Sequence, residues 1–203
     1  MKDLVQKQLA QSIATLQAVL ADETISHTLV SIAKLTADAM QSGHKLLVAG
    51  NGGSAADAQH LVAEFVVRLT VNRAALRAIA LTTDTSILTA AGNDYGFDHL
   101  FSRQIEAIGQ PGDVFLAIST SGNSKNIVKA LRQAKMGGIA TIGFIGSDGG
   151  LMCALCDYTI VVPSAVTQNI QESHLALEHI FCMLVERFIF GHDLDKKPQI
   201  LSE

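Results

Sequence analysis

The sequence predicts a single α/β domain: a five-stranded parallel sheet flanked by helices, with two further helices at the N-terminus. Three observations predict it. Short apolar runs alternate with helical patterns from about residue 45 onward, and that alternation calls for a parallel sheet with helices on both faces. The chain is 48% apolar but only 5% aromatic, with no Trp, the composition of Ala, Val, Ile and Leu packing between helices and a parallel sheet. Polar, Gly-rich segments follow the first three apolar runs, at the strand ends where ligands sit in such folds. A length of 203 residues suits one domain with a sizeable core.

The elements follow in order. Leu4, Leu9, Ile13, Leu16 and Leu20 recur at helical spacing, as do Leu29, Ile32, Leu35 and Met40. These two helices, within residues 1–42, either cover the sheet or form an arm that pairs with another subunit. Residues 43–191 form the α/β core. Lys45–Ala49 reads as a buried strand, Gly50–Ser54 as a turn and Ala55–Leu69 as a helix. Ala78–Leu81 is a second strand, followed by a short helix to Ala91 and a loop at Gly92-Asn93-Asp94. Asp98–Ile108 is helical, Val114–Ile118 a third strand, Ser119–Ser124 a turn and Asn126–Met136 a helix. Ile139–Ile145 and Tyr158–Val162 are the last strands, and Gln168–Phe190 is a long closing helix. Residues 192–203 are a polar tail.

Several function classes find no support. Net charge is −4 and the Lys and Arg residues are scattered, so no basic stripe points to nucleic acid. No stretch is long and apolar enough to span a bilayer. The N-terminus lacks the pattern of a secretory signal, so a cytoplasmic location is expected. Cys153, Cys156 and Cys182 are an odd number without a second pair, which argues against a disulfide framework or a zinc ribbon. Cys153-Ala-Leu-Cys156 lies among apolar neighbours, and these cysteines are read as buried small hydrophobes.

Ser119-Thr120-Ser121-Gly122-Asn123-Ser124 follows an apolar strand and opens a helix. Four hydroxyls, a glycine that permits a tight turn, and the free N–H groups of a helix start suit a phosphate dianion without Lys or Arg. An ordinary N-cap turn is the plainer reading, although a cap needs only one hydroxyl. The segment is not a Walker loop, and Gly50-Asn51-Gly52-Gly53 has the wrong spacing for a dinucleotide fingerprint.

His60 and Glu64 stand four apart, hence on one face of the helix after the first strand. Asp57 reads as an acid in that helix's first turn, favoured by the dipole. The last helix carries Gln171, His174, Glu178 and His179. Gln171 and His174 share a face, and His179 lies ~12 Å further along the axis. A solvated polar stripe accounts for His174 and Glu178 equally well. Spacing alone does not bring His179 to Glu64.

The segments AGNGGSAADAQHLVAE, ALTTDTSILTAAGNDYGF, FSRQIEA, GDVFLAISTSGNS and IQESHLALEH resemble the phosphoheptose isomerases of the SIS (sugar isomerase) superfamily, from about Lys45 to Gly191. The resemblance implies a cytoplasmic, homotetrameric isomerase with active sites between subunits and neither nucleic-acid nor membrane partners. It converts sedoheptulose 7-phosphate to D-glycero-D-manno-heptose 7-phosphate, the first step toward nucleotide-activated heptose for lipopolysaccharide core or other surface glycans. It also implies roles. Asn51, Gly52, Gly53, Asn93, Asp94 and Gln171 contact substrate, and Ser119, Thr120, Ser121 and Ser124 hold its phosphate. Glu64 and His179 are the catalytic pair, with Glu64 also contacting substrate. Some members hold zinc through the positions of His60, Glu64, Gln171 and His179. A non-catalytic relative that acts as an adaptor in replication initiation lacks the counterparts of Glu64 and His179. An isomerase of another sugar phosphate is the remaining alternative.

The chemistry agrees with the residue types. Moving a proton between C1 and C2 needs a base, and an acid or a metal to stabilise the enediolate oxygen. In one version Glu64 and His179 are base and acid in either order. In the other, zinc is held by His60, Glu64, Gln171 and His179, which leaves Glu64 a poor base.

Overall fold

The computed structural model describes residues 1–191; the expected polar tail, residues 192–203, lies outside the described residues. Two helices open the chain, α1 (Lys2–Ala21) and α2 (Glu23–Gln41), joined at Asp22, whose side chain accepts the N–H of Thr24. Then come β1 (Leu46–Ala49), α3 (Gly53–Val66), β2 (Ala78–Ala80) and α4 (Thr85–Asp94). A 3₁₀ turn (Phe97–His99) leads into α5 (Leu100–Ile108), β3 (Val114–Ser119) and α6 (Lys125–Met136). The chain continues through β4 (Ala140–Gly146), a second 3₁₀ turn (Gly150–Met152), β5 (Tyr158–Val162) and α7 (Thr167–Phe190). The five strands pair in parallel in the order β2-β1-β3-β4-β5.

Two apolar cores lie on the two sheet faces. One gathers Ile32, Leu61, Phe65, Leu177, Phe181 and Val185 from α2, α3 and α7 against Val48, Leu116 and Phe144. The other packs Leu100, Ile105, Ile127 and Leu131 from α5 and α6 against Leu47, Phe115 and Ile145. The alternating inward and outward residues of β1 and β3 thus each face a different helix layer, which is why these strands read as unbroken apolar runs.

Four expectations change. Gly92-Asn93-Asp94 is not a loop but the last turn of α4: the Asp84 side chain caps that helix at the Ile87 N–H, and the helix runs on until Gly96, whose φ is +85°. The helix after β1 begins at Gly53 rather than Ala55, so Asp57 falls past its first turn. His174 and Glu178 are not solvated: both are fully buried. Cys153 is exposed, whereas Cys182 is buried and Cys156 half-buried. Burial, then the Asp157 charge, pushes the Cys156 thiol up to about 12; burial first of all does the same for Cys182.

Candidate active site

The strand order changes direction between β1 and β3: β1 leads to α3 on one face, β3 to α6 on the other. The crevice outside those two strand ends is where open α/β sheets bind ligands, and both candidate loops border it.

The loop after β3 is shaped by backbone geometry. Gly122 has φ +64°, and a Cβ there would run into the carbonyl of Gly149, so no other residue fits. Met152 N–H donates to Gly122 O at 3.1 Å and Leu151 N–H to Asn123 Oδ1 at 3.0 Å; the second 3₁₀ turn thereby holds the loop from behind. Ser124 is the N-cap residue of α6, yet its side chain makes no capping bond. Its hydroxyl pairs with that of Ser119 at 3.1 Å instead. The capping alternative therefore fails for Ser124. Ser121 Oγ accepts the Asn123 N–H at 3.2 Å, and Thr120 is half-buried beside it.

The loop after β1 places Asn51, Gly52 and Gly53 across the crevice. A Cβ on Gly53 would collide with the Gln171 amide, so glycine there lets α7 lay Gln171 against the start of α3. Beside Asn51 a cavity of about 280 Å³ opens, lined by Gly50, Gly52, Thr82, Thr89 and Phe97 among others. Asn93 and Asp94 do not join the loops by hydrogen bonds among the described residues. They are exposed at the end of α4, where Asn93 Nδ2 donates to Asp94 Oδ1 at 2.8 Å.

The helix layer supplies what spacing could not. Phe181 of α7 packs edge-on against Phe65 of α3, ring centroids 5.7 Å apart. That crossing brings His179 to His60: the two Nε2 atoms are 2.8 Å apart. Glu64 Oε1 lies 3.6 Å from His60 Nε2. The ligand atoms of His60, Glu64 and His179 all fall within 4.8 Å of one another. One chain thus assembles the trio without a residue from another subunit. With one ring protonated at Nε2 and the other not, the imidazoles share a hydrogen bond. With both nitrogens unprotonated, two lone pairs and a carboxylate face a common point. Two imidazoles and a carboxylate are a donor set that zinc accepts, so the residues fit that metal.

Both Glu178 oxygens, one Asp57 oxygen and His174 Nδ1 are buried without a partner among the described residues. Burial, and secondarily the Asp57 carboxylate, raises Glu178 to about 8. Burial also raises Asp57, against the opposing pull of His60. His174 Nε2–H donates to Ile145 O at 3.1 Å, and burial lowers its pKa to about 4, so it stays neutral.

Sequence reasoning missed two contributors. Arg73 is buried against Glu186 of α7 (Nε–Oε1 2.8 Å) and donates to the carbonyls of Glu64 and Phe65, each at 2.7 Å. Asn126 pairs with Asn51 across the crevice. An Asn just inside a helix and an Arg in a polar loop carry no pattern that marks them beforehand.

The SIS domain family model matches residues 9–146. A phosphoheptose isomerase of Aneurinibacillus thermoaerophilus is 53% identical over 190 residues, covering 94% of this chain and 96% of the relative. The structure of phosphoheptose isomerase GmhA from Neisseria gonorrhoeae superposes with a TM-score of 0.86 at 41% identity, covering 91% of this chain and 98% of that one. A phosphoheptose isomerase from Francisella tularensis gives 0.88 at 32% identity, covering 91% and 97%. On these likenesses the chain belongs to the SIS domain family and, within it, to the phosphoheptose isomerases.

Proposed function

We propose that this chain is a phosphosugar aldose–ketose isomerase that converts sedoheptulose 7-phosphate to D-glycero-D-manno-heptose 7-phosphate, supplying heptose for nucleotide activation and surface glycans. The observation that carries the reading is the convergence of Glu64 and His179, through His60, in a chain that also builds a hydroxyl-rich loop between β3 and α6.

The roles follow from position. Ser119, Thr120, Ser121 and Ser124, with the free N–H groups at the start of α6, hold the phosphate. Asn51, Gly52, Gly53, Gln171, Asn93 and Asp94 line the path of the sugar. Remote grip on the phosphate orients C1 and C2 and supplies binding energy away from the reacting carbons. Glu64 or His179 removes the proton beside the carbonyl, and the other partner returns one to the neighbouring carbon or oxygen. His60, Glu64, Gln171 and His179 would hold zinc, which supplies Lewis-acid polarisation of the carbonyl when bound.

The assembly is proposed as a homotetramer. Leu4, Val5, Leu9, Ile13 and Leu20 of α1 are exposed apolar residues, and α1 buries only Thr15 and Val19 within the chain. That supports the arm rather than the cover as the task of the first helix. No helix among the described residues is long and apolar enough to cross a membrane. A cytoplasmic site of action goes with the substrate, since a phosphate dianion does not cross a bilayer unaided.

The purified protein incubated with a panel of ketose phosphates tests the reading. Formation of the heptose aldose from the seven-carbon ketose is expected, with slower turnover of pentose and hexose phosphates. No aldose from any of them would return the chain to the non-catalytic adaptor class.

A further inference from the structure

Two loops border the crevice between β1 and β3, and they leave the sheet toward opposite faces. The phosphate loop runs into α6; the loop after β1 runs into α3, which carries His60 and Glu64. A substrate that spans both needs their separation fixed, because a misplacement of ~1 Å at the reacting atoms costs on the order of 10²-fold in rate. One contact crosses the gap directly. Asn51 Nδ2 donates to Asn126 Oδ1 at 2.9 Å, and Asn126 Nδ2 donates back to Asn51 Oδ1 at 2.8 Å. Asn126 Oδ1 also accepts the Ile127 N–H at 3.0 Å, which anchors the amide to the first turn of α6. Asn126 is only 2% exposed, so water does not compete for these bonds.

A reciprocal amide pair is demanding. Each side chain must both donate and accept, so neither a carboxylate nor an aliphatic residue substitutes on one side alone. The pair also engages one N–H and the oxygen of Asn51. Its amide is therefore largely committed to Asn126 and not to the phosphate.

We propose that Asn126 is a positioning residue for the isomerisation: through Asn51 it sets the distance between the phosphate loop and the helix bearing Glu64. This rests on the isomerase reading. A ligand touching both loops feels the clamp, whereas inorganic phosphate, which occupies the Ser119–Ser124 loop alone, does not.

The test compares the parent with Asn126→Ala and the isosteric Asn126→Asp. Asp still accepts from Asn51 and from Ile127 but no longer donates. Turnover of the seven-carbon ketose phosphate and the Kd for inorganic phosphate by calorimetry are measured on each, with thermal melts as a check of folding. Expected is a fall in kcat of about 10²-fold for Asn126→Ala and roughly tenfold for Asn126→Asp, which loses one of three bonds, with the phosphate Kd of Asn126→Ala within about twofold of the parent; the added carboxylate of Asn126→Asp repels phosphate, so that variant is read by kcat at saturating substrate. Where Asn126→Ala does not fold, Asn126→Asp decides alone. Unchanged kcat in a folded variant, or a phosphate Kd of Asn126→Ala that weakens in step with kcat, overturns the proposal. A parent without turnover defeats the isomerase reading itself, and the two failures are thereby told apart.

Discussion

At Glu178 the α7 helix carries a carboxyl into a place where neither oxygen finds a partner. Ionising it there is unfavourable, and the nearby Asp57 carboxylate adds repulsion. The group keeps its proton up to about 8, whereas the unfolded chain releases it near 4.5. Between those values the folded state binds the additional proton, so stability falls as the pH rises across that window. Glu178→Gln removes the titration and keeps the shape. Its Tm relative to the parent should rise between pH 5 and pH 8, read by thermal denaturation at fixed protein concentration; an offset independent of pH would mean that Glu178 is already ionised in the fold. The sequence could not reveal this state. Glu178 and His174 look like any polar stripe on a helix, and only the docking of α7 onto Phe144 and the α3 layer turns that stripe inward. That Ser119–Ser124 turns from an apolar strand into a helix is, by contrast, legible in the sequence, because that change of pattern has a local cause.

At the scale of elements, the pairing of α3 with α7 makes the trio. Alternating apolar runs announced both helices and all five strands, since period and burial are written locally. How two helices cross is set by side-chain interdigitation between distant segments. That is why His60 with Glu64 could be seen as a pair while His179 could not be joined to them. The Arg73–Glu186 pair fastens this crossing. Glu186 also accepts from Leu69 N–H at 3.3 Å and Thr70 Oγ1 at 3.0 Å, so residues 69–73 are tied to α7, while Arg73 closes the free carbonyls at the end of α3. Arg73→Met leaves a buried carboxylate without its cation and should cost ~3–5 kcal/mol in urea unfolding. Arg73→Met combined with Glu186→Leu should recover a large part of that. A loss under about 1 kcal/mol, the scale of an exposed pair, would show that the bridge does not hold the helices.

For the whole molecule, the exposed apolar face of α1 and a groove of about 370 Å³ between α1, α2 and α7, lined by Leu16, Leu20, Leu29 and Ile180 among others, are the surfaces that the proposed homotetramer would cover. Sedimentation at micromolar concentration should give the mass of a tetramer, and Leu9→Glu with Ile13→Glu should lower it; a monomeric parent would contradict the assembly. The His60, Glu64 and His179 trio closes within one chain, so such an assembly would not be needed to complete it. The proposed isomerisation rests on proton transfer by Glu64 and His179, with the phosphate held by a loop on separate elements. The most direct test follows conversion of the seven-carbon ketose phosphate by NMR in the parent, Glu64→Gln and His179→Gln, with phosphate binding measured on the same samples. Each substitution should lower turnover by on the order of 10²–10⁴-fold and leave phosphate affinity unchanged. Near-parental turnover in both variants would contradict the assignment of the active site.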